Sequence, residues 1–381
     1  MPAKLLHPLK QRDPNEHGRV ATTLELLLDL ASVIAIASAA AGLHHAISEN
    51  HVTDGLLSFA MAFFGIWWAW MNYTWFASAY DDGSRNFRLS TFTFIAGALI
   101  MAAGITQFFK NHDLSLIVAG YVVMRVVMIW LWLCAAKADS AHRQTALRYA
   151  TGIAITQAYW CALLLIDPQS SAFLVMFLVG VIGELAVPFV AERSGMTPWH
   201  RHHVIERYGL LNIIVLGELM LAAAGSLREM AEQPVFDVRL MHVFLCAALI
   251  TFSFWSLYFT DDEHLENREH ARAFSWGYGH IFLFAAGAAT GAGFGVLVDI
   301  LTHHSEASLQ VGDAAVAIPV AIYLAGLWLV RDRFICKGWR FWLLPVAALF
   351  AVATPFLPAA LELCTATAVA AAVVRGRAAQ G

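Results

Sequence analysis

Charge is what this chain most lacks: only 14% of its 381 residues are Asp, Glu, Lys or Arg, against about 25% in a soluble domain. That deficit excludes an ordinary water-soluble fold. Cysteine is sparse as well. Cys134, Cys161, Cys246, Cys336 and Cys364 lie far apart with no C-x-x-C, which excludes a disulfide framework. No basic stripe with interleaved aromatics occurs, so no nucleic-acid partner is expected. There is no G-x-S-x-G, P-loop, H-E-x-x-H or dinucleotide fingerprint, so no soluble-type catalytic centre, cofactor or metal site is expected. The polar start, Met1 to Thr23, has no apolar core and no small-residue cleavage site, and reads as a cytoplasmic tail rather than a secretory signal.

What is present is hydrocarbon. Hydrophobic residues make up 59% of the chain and the mean hydropathy is +0.62. A spanning helix needs roughly 20 mostly apolar residues, and such runs fall near 24–47, 55–79, 88–109, 114–136, 146–166, 171–191, 204–225, 236–259, 273–301, 313–330, 339–358 and 359–374. The expectation is an all-α integral membrane protein of about twelve transmembrane helices, its first partner the lipid bilayer. The last run is short and directly follows Pro358, so a single long bent final segment is the alternative.

Lys and Arg concentrate in cytoplasmic loops of membrane proteins. With the N-terminus inside, 20 of the 24 basic residues fall in inside segments, including Lys4, Arg19, Arg268, Arg331 and Arg375. Three (Lys110, Arg228, Arg239) fall outside, and Arg125 is left within a helix. Both termini are therefore expected in the cytoplasm. The halves also resemble each other. Glu25 opens the first run and Glu206 the seventh; Trp70-Met-Asn-Tyr73 then precedes Asp81-Asp82, and Trp255-Ser-Leu-Tyr258 precedes Asp261-Asp262. The predicted organisation is two parallel six-helix repeats, 24–191 and 204–374, with a tail at 1–23, a linker at 192–203 and a tail at 375–381, the halves related by an axis along the membrane normal. Generic interfacial aromatics and acidic helix ends would produce the same motifs.

Ionisable groups at membrane depth cost about 2.5–3.5 kcal/mol on insertion scales, so those that persist face protein or a watery cavity. Glu25 and Asp29, one turn apart, share a helix face and are candidates for sharing a proton or binding a cation; the alternative for Glu25 is a helix-start acid favoured by the macrodipole. Glu218 lies deep in the seventh run, three turns from Arg207 on the same face, and is either a functional carboxylate or an interhelical hydrogen-bonding one. His203 and Glu206, three apart, can pair with each other or hold a metal, although the spacing matches no closed tetrahedral site. Arg125 and Glu184 require intramembrane partners, though not necessarily one another, and Pro188 should kink the helix beside Glu184. Asn72 and His280 suit interhelical hydrogen bonds or a polar site. Trp67, Trp68, Trp70 and Trp75 span too much helix for an interfacial belt alone. Gly287, Gly291 and Gly295 follow the small-x-x-x-small rule and predict a close helix contact, internal or in a homo-oligomer.

The segments Arg19-Val-Ala-Thr-Thr-Leu-Glu25-Leu-Leu-Leu-Asp29, Trp67-Trp-Ala-Trp70-Met-Asn72-Tyr-Thr-Trp75, His203-Val-Ile-Glu206-Arg207 and Leu216-Gly217-Glu218 together resemble the bacterial low-temperature-requirement A (LtrA) family, in order and over most of the chain. The resemblance implies a multi-pass protein of the bacterial inner membrane with an unsettled activity. It places Glu25, Asp29, Asn72, Arg88, His203, Glu206, Arg207, Gly217, Glu218 and His280 at positions matching family motifs. Leu27 and Leu28 stand where the family commonly has two Phe. Two functions follow as expectations. One is a transporter or channel for a small ion or solute, using Glu25, Asp29, Asn72, His203, Glu206, Arg207 and Glu218, with Arg88 and His280 as a further polar site. The other is a membrane-embedded enzyme or sensor, lipid-linked, centred on His203 and Glu206.

Overall fold

The computed structural model describes residues 9–232, 237–260, 265 and 270–380, with side chains to 377 and from 272 in the last stretch. Lys4, Asp261, Asp262 and Arg268 lie outside the described residues, so the second Asp-Asp pair and two of the topology charges have no structural counterpart here. Among the described residues there is no strand, and a long helix occurs at each of the twelve apolar runs. These are α1 (Thr23–Ser48), α2 (Val52–Tyr80), α3 (Arg85–Asn111), α4 (Ser115–Ala138), α5 (Arg143–Leu163), α6 (Ser171–Ala191), α7 (Arg201–Glu232), α8 (Val238–Phe259), α9 (His270–Leu301), α10 (Leu309–Leu327), α11 (Trp339–Ala353) and α12 (Ala360–Gln380). Ten of the described helical segments are long and apolar enough to cross a membrane; α5 and α12 are not among the ten. α5 dilutes its apolar residues with Arg143, Gln144, Arg148 and Gln157, and α12 with Glu362, Arg375 and Arg377.

Local signals account for the helix ends. Ser84 and Ser308 cap α3 and α10 by accepting from the amides of Phe87 and Val311, which satisfies first-turn donors that have no partner inside the helix. α1 opens with a reciprocal capping box: Thr22 Oγ1 accepts from the Glu25 amide at 3.2 Å, and the Thr22 amide donates to Glu25 Oε2 at 2.9 Å. α6 runs on through Pro188 to Ala191. α10 continues through a π turn, Trp328–Asp332, and one last α turn, Arg333–Ile335. An extended Leu357 and a left-handed Ala359 (φ 58°) separate the segment that ends at Phe356 from α12, so the last two runs are distinct helices.

The chain divides into two compact units: unit 1 is 1–35 with 65–207, and unit 2 is 36–64 with 208–381. In unit 1, α3 to α6 pack in chain order. The α3–α4 seam closes on paired glycines: a Cβ on Gly97 would come within 2.8 Å of the Gly120 carbonyl oxygen. In unit 2, α9 packs on α10 and α7 through its glycines. A Cβ on Gly287 would meet Val215 at 2.6 Å, and one on Gly291 would meet the Glu218 carbonyl carbon at 2.9 Å. Large apolar side chains such as Leu30, Ile155 and Ile182 are more than half exposed, as expected where the surrounding solvent is lipid rather than water.

The segment before α1 is docked rather than free. Arg19 donates to the carbonyls of Ala77 and Ser78, and Arg12 Nη1 to that of Asp81 at 3.0 Å. The Ala77 carbonyl also accepts from the Asp81 amide at 3.0 Å, and guanidinium groups near a helix C-terminus add donors to the last carbonyls and offset their partial negative charge.

Candidate functional site

Both units hold groups of polar side chains within the protein. In the first group, the indole Nε1 of Trp70 donates to Asp29 Oδ1 at 2.7 Å, and Arg207 donates to both oxygens of Asp29 at 2.7 Å. The same guanidinium lies 5.8 Å from the Trp70 ring centroid. His203 Nε2 lies 3.1 and 3.2 Å from the two oxygens of Glu25. All five side chains are buried. Glu25 and Asp29 thus each have their own basic partner, and the spacing that suggested a shared proton is used for two parallel pairs. Glu206 does not pair with His203; its Oε2 accepts from the Ala21 amide at 3.1 Å.

The second group centres on Glu184. Arg125 donates to its Oε2, Trp68 Nε1 to Oε2 at 2.8 Å, Trp160 Nε1 to Oε1 at 2.9 Å, and Tyr121 Oη to Oε1 at 3.2 Å. Arg125 and Glu184, separated by 59 residues, find each other. Two tryptophans of α2, Trp68 and Trp70, thus have a definite use, presenting indole N–H donors to the buried carboxylates of Glu184 and Asp29. Four donors fill one carboxylate, leaving it no capacity for a ligand.

At the ends of these helices, outside the spanning segments, Asp139 is held from three sides. Its oxygens accept from Tyr80 Oη (3.0 Å) and the His142 amide (3.1 Å) and lie 2.7 Å from His142 Nδ1. Burial acts to raise its carboxyl, but these hydrogen bonds outweigh it and the carboxyl titrates below its ordinary value. Asp81 goes the other way: burial raises its carboxyl against a single opposing bond from the Gly83 amide.

Unit 2 is built differently. A cavity of about 490 Å³ is bounded by α1, α7 and α9. Its apolar wall is mostly of the smallest residues, among them Ala37, Ala222, Gly225 and Gly291, with Leu221 and Val298, and its charged and polar groups are Glu218, His44, Asp299, Arg228 and Glu229. His44 Nε2 lies 2.8 Å from Asp299 Oδ2, which also accepts from Ser48 Oγ at 2.9 Å. The His44 ring lies against bare backbone, since a Cβ on Gly295 would come within 3.0 Å of it. Glu218 is half-buried and makes no hydrogen bond or ion pair with any described residue.

The remaining residues expected at a site are placed elsewhere. Asn72 bonds back to its own helix, Nδ2 donating to the Trp68 carbonyl at 2.8 Å. Arg88 is exposed in the first turn of α3. His280 is buried away from the cavity wall, 3.1 Å from Tyr258 Oη and 2.7 Å from the Trp276 carbonyl. Among the described residues no three His, Cys, Asp or Glu side chains are grouped to hold a metal ion.

Some residues counted only as topology signals are buried. Arg331 donates to the Leu257 carbonyl at 2.5 Å and to Asp332 Oδ1 at 2.6 Å, and Arg375 reaches Asp332 Oδ2 at 3.3 Å. Their adjacency to apolar runs was the available signal. His44 and Asp299, each within the last turns of an apolar run, carried no signal beyond their type, because their meeting depends on the packing of α1 against α9.

By sequence, the chain is 26% identical over 261 residues to an uncharacterized protein of Rhizobium meliloti (strain 1021); the match spans 66% of this chain and 61% of that relative, less than two thirds of the relative's length. The model of the family described as bacterial low temperature requirement A protein (LtrA) matches residues 20–375. That match takes in every helix from α1 to α11 and most of α12, together with all the ion pairs described above, and the chain belongs to this LtrA family of membrane proteins.

Proposed function

We propose that the protein is a transporter or channel for a small ion or solute, and that Glu218 is the carboxylate that meets it. The observation that carries this reading is the contrast within the buried charges. Glu25, Asp29 and Glu184 each have a basic partner, whereas Glu218 has none among the described residues and lines a cavity of about 490 Å³. A carboxylate at membrane depth without a compensating group is costly, and it is retained where it handles charge that comes and goes. His203, Arg207, Glu25 and Asp29 hold α7 to α1 as positioning residues.

We further propose twelve spans in two parallel six-helix repeats, in the bacterial inner membrane with both termini cytoplasmic. The recurrence of Trp-x-x-Tyr supports this: Tyr73 reaches Thr91 Oγ1 on α3 at 2.6 Å in unit 1, and Tyr258 reaches His280 on α9 in unit 2, each binding the helix that follows its own. The basic bias at the even-numbered loops supports the orientation.

The test is proton and alkali-cation flux in proteoliposomes, comparing wild type with Glu218→Gln and Glu206→Gln. Flux is expected in wild type, lost in Glu218→Gln, and largely kept in Glu206→Gln, whose carboxylate is engaged by the Ala21 amide. No flux in wild type under any gradient would turn the reading toward an enzyme or sensor; retained flux in folded Glu218→Gln would remove Glu218 from the path.

A further inference from the structure

We propose that the unit 2 cavity binds a small organic cation, with its charge at Glu218 and its hydrocarbon part on the alanine–glycine wall, and that this cation exchanges there with a proton. The inference rests on the transport reading and names the class of substrate.

Size is the first argument. A cavity of about 490 Å³ lies within the ~300–1,000 Å³ range of small-molecule sites, and a single water takes only about 30 Å³. The wall is the second. Bare ions are held by rings of carbonyl or carboxylate oxygens that replace the hydration shell. Here the wall offers Ala and Gly carbon, the helix carbonyls are committed to the helices, and no metal-sized cluster of acidic or histidine side chains is present among the described residues. Hydrocarbon of a ligand can bury against such a wall; a hydrated ion gains nothing from it.

Charge is the third. The groups that share the cavity with Glu218 are His44 on α1, Asp299 on α9, and Arg228 and Glu229 on α7. Asp299 is engaged by His44 and Ser48. Arg228 and Glu229 lie about three turns from Glu218 along α7, at 1.5 Å per residue, and offset each other in sign. Glu218 is left as the uncompensated group, so the cavity selects positive charge over negative. An uncompensated carboxylate in low dielectric is neutralised either by a bound proton or by a cation beside it. The exchange balances: as the cation docks, the carboxyl proton leaves Glu218 to water, and the local charge is the same before and after.

Tetraethylammonium is the suitable probe because it is permanently charged and carries no titratable proton, so any proton released comes from the protein. Detergent-solubilised, full-length protein is titrated in weak buffer with the chlorides of tetraethylammonium, potassium and sodium at matched ionic strength, following heat and proton release. The expected result is saturable binding with proton release for tetraethylammonium only. Affinity should fall at least ten-fold in Glu218→Gln with the release abolished. It should also fall at least ten-fold in Ala222→Leu, which fills the wall and keeps the carboxylate. Equal proton release by potassium or sodium, no release in wild type, or undiminished binding in either variant of unchanged size-exclusion profile would each overturn the proposal. The flux assay separates the two claims. Tetraethylammonium binding without flux of any cation sinks transport and leaves the site, while alkali-cation flux without tetraethylammonium binding sinks the site and leaves transport.

Discussion

Unit 1 and unit 2 both carry buried carboxylates, and Glu218 of unit 2 is treated unlike the acids of unit 1 and unlike Asp332 of its own unit, which Arg331 and Arg375 hold. In unit 1 the acids are saturated: Asp29 has Arg207 and Trp70, Glu25 has His203 and Thr22, and Glu184 has one arginine, two indoles and a phenol. In unit 2 Glu218 lines a cavity and has no hydrogen-bonding or ion-pair partner among the described residues. Intramembrane charge is therefore a weak pointer to function on its own. The stronger pointer is whether the charge has capacity left after the protein's own groups have bonded to it.

The widest separation of the two units comes from removing one partner of a saturated pair. Arg207→Ala strands Asp29 in a site with no access to water, and the loss is about 3–5 kcal/mol, read as a drop in the denaturation midpoint in detergent. Replacing both partners, as in Asp29→Leu with Arg207→Met, should recover most of it; a double variant as weak as the single one would show that the pair is not what the single variant broke. Glu218→Gln breaks nothing of this kind and should leave the midpoint within about 0.5 kcal/mol.

A smaller effect sharpens the picture of the cavity floor. Gly291→Ala sets a methyl carbon 2.9 Å from the Glu218 carbonyl carbon, backbone that cannot swing aside, at a cost of about 1–3 kcal/mol. Gly217→Ala, one residue before Glu218, meets nothing within 4 Å and should be neutral or slightly stabilising, since Ala exceeds Gly in helix propensity by up to about 1 kcal/mol. Thermal midpoints of the two variants, measured side by side, decide whether α7 and α9 touch where the structure has them touch.

The smallest effect is in acid. Because hydrogen bonds hold the Asp139 carboxyl below its ordinary value, its contribution to stability is complete above the unfolded-state pKa, about 3.9, and is lost as the pH falls through the lower folded-state value. Asp139→Asn should therefore be less stable than wild type at neutral pH and should show a shallower loss of stability on acidification below about pH 4. An identical acid limb in both proteins would assign that limb to other carboxylates.

Helix positions were readable from the sequence because every apolar run is bounded by charges or prolines, and the structure has a long helix at each. Glu25, Asp29, Glu184 and Glu218 were readable because an acid inside such a run is conspicuous by its cost, whereas Asp299, close to the end of its run, was not. Their pairing was not. Glu25 and Asp29 sit one turn apart and suggest each other, yet their partners His203 and Arg207 arrive from 178 residues away. The Thr22-x-x-Glu25 capping box was present in the sequence, and it gives Glu25 a local role as well as a buried one. Arg19, Arg331 and Arg375 stand in the sequence as loop charges. Buried guanidiniums that cap helix ends look the same in sequence as topology signals, because both stand just beyond an apolar run. The cavity was wholly unreadable, since a run of alanines and glycines describes an empty wall and a close helix contact equally well.

The glycine row of α9 carries a consequence for temperature. Apolar burial driven by the release of water weakens on cooling, whereas helices joined backbone to backbone inside a bilayer owe their association mainly to van der Waals contact. The contact of Gly291 with the Glu218 backbone is of the second kind, while Gly287 and Gly295 lie against the side chains of Val215 and His44. The α7–α9 contact at Gly291, on the cavity wall, thus rests on a force that does not fade in the cold.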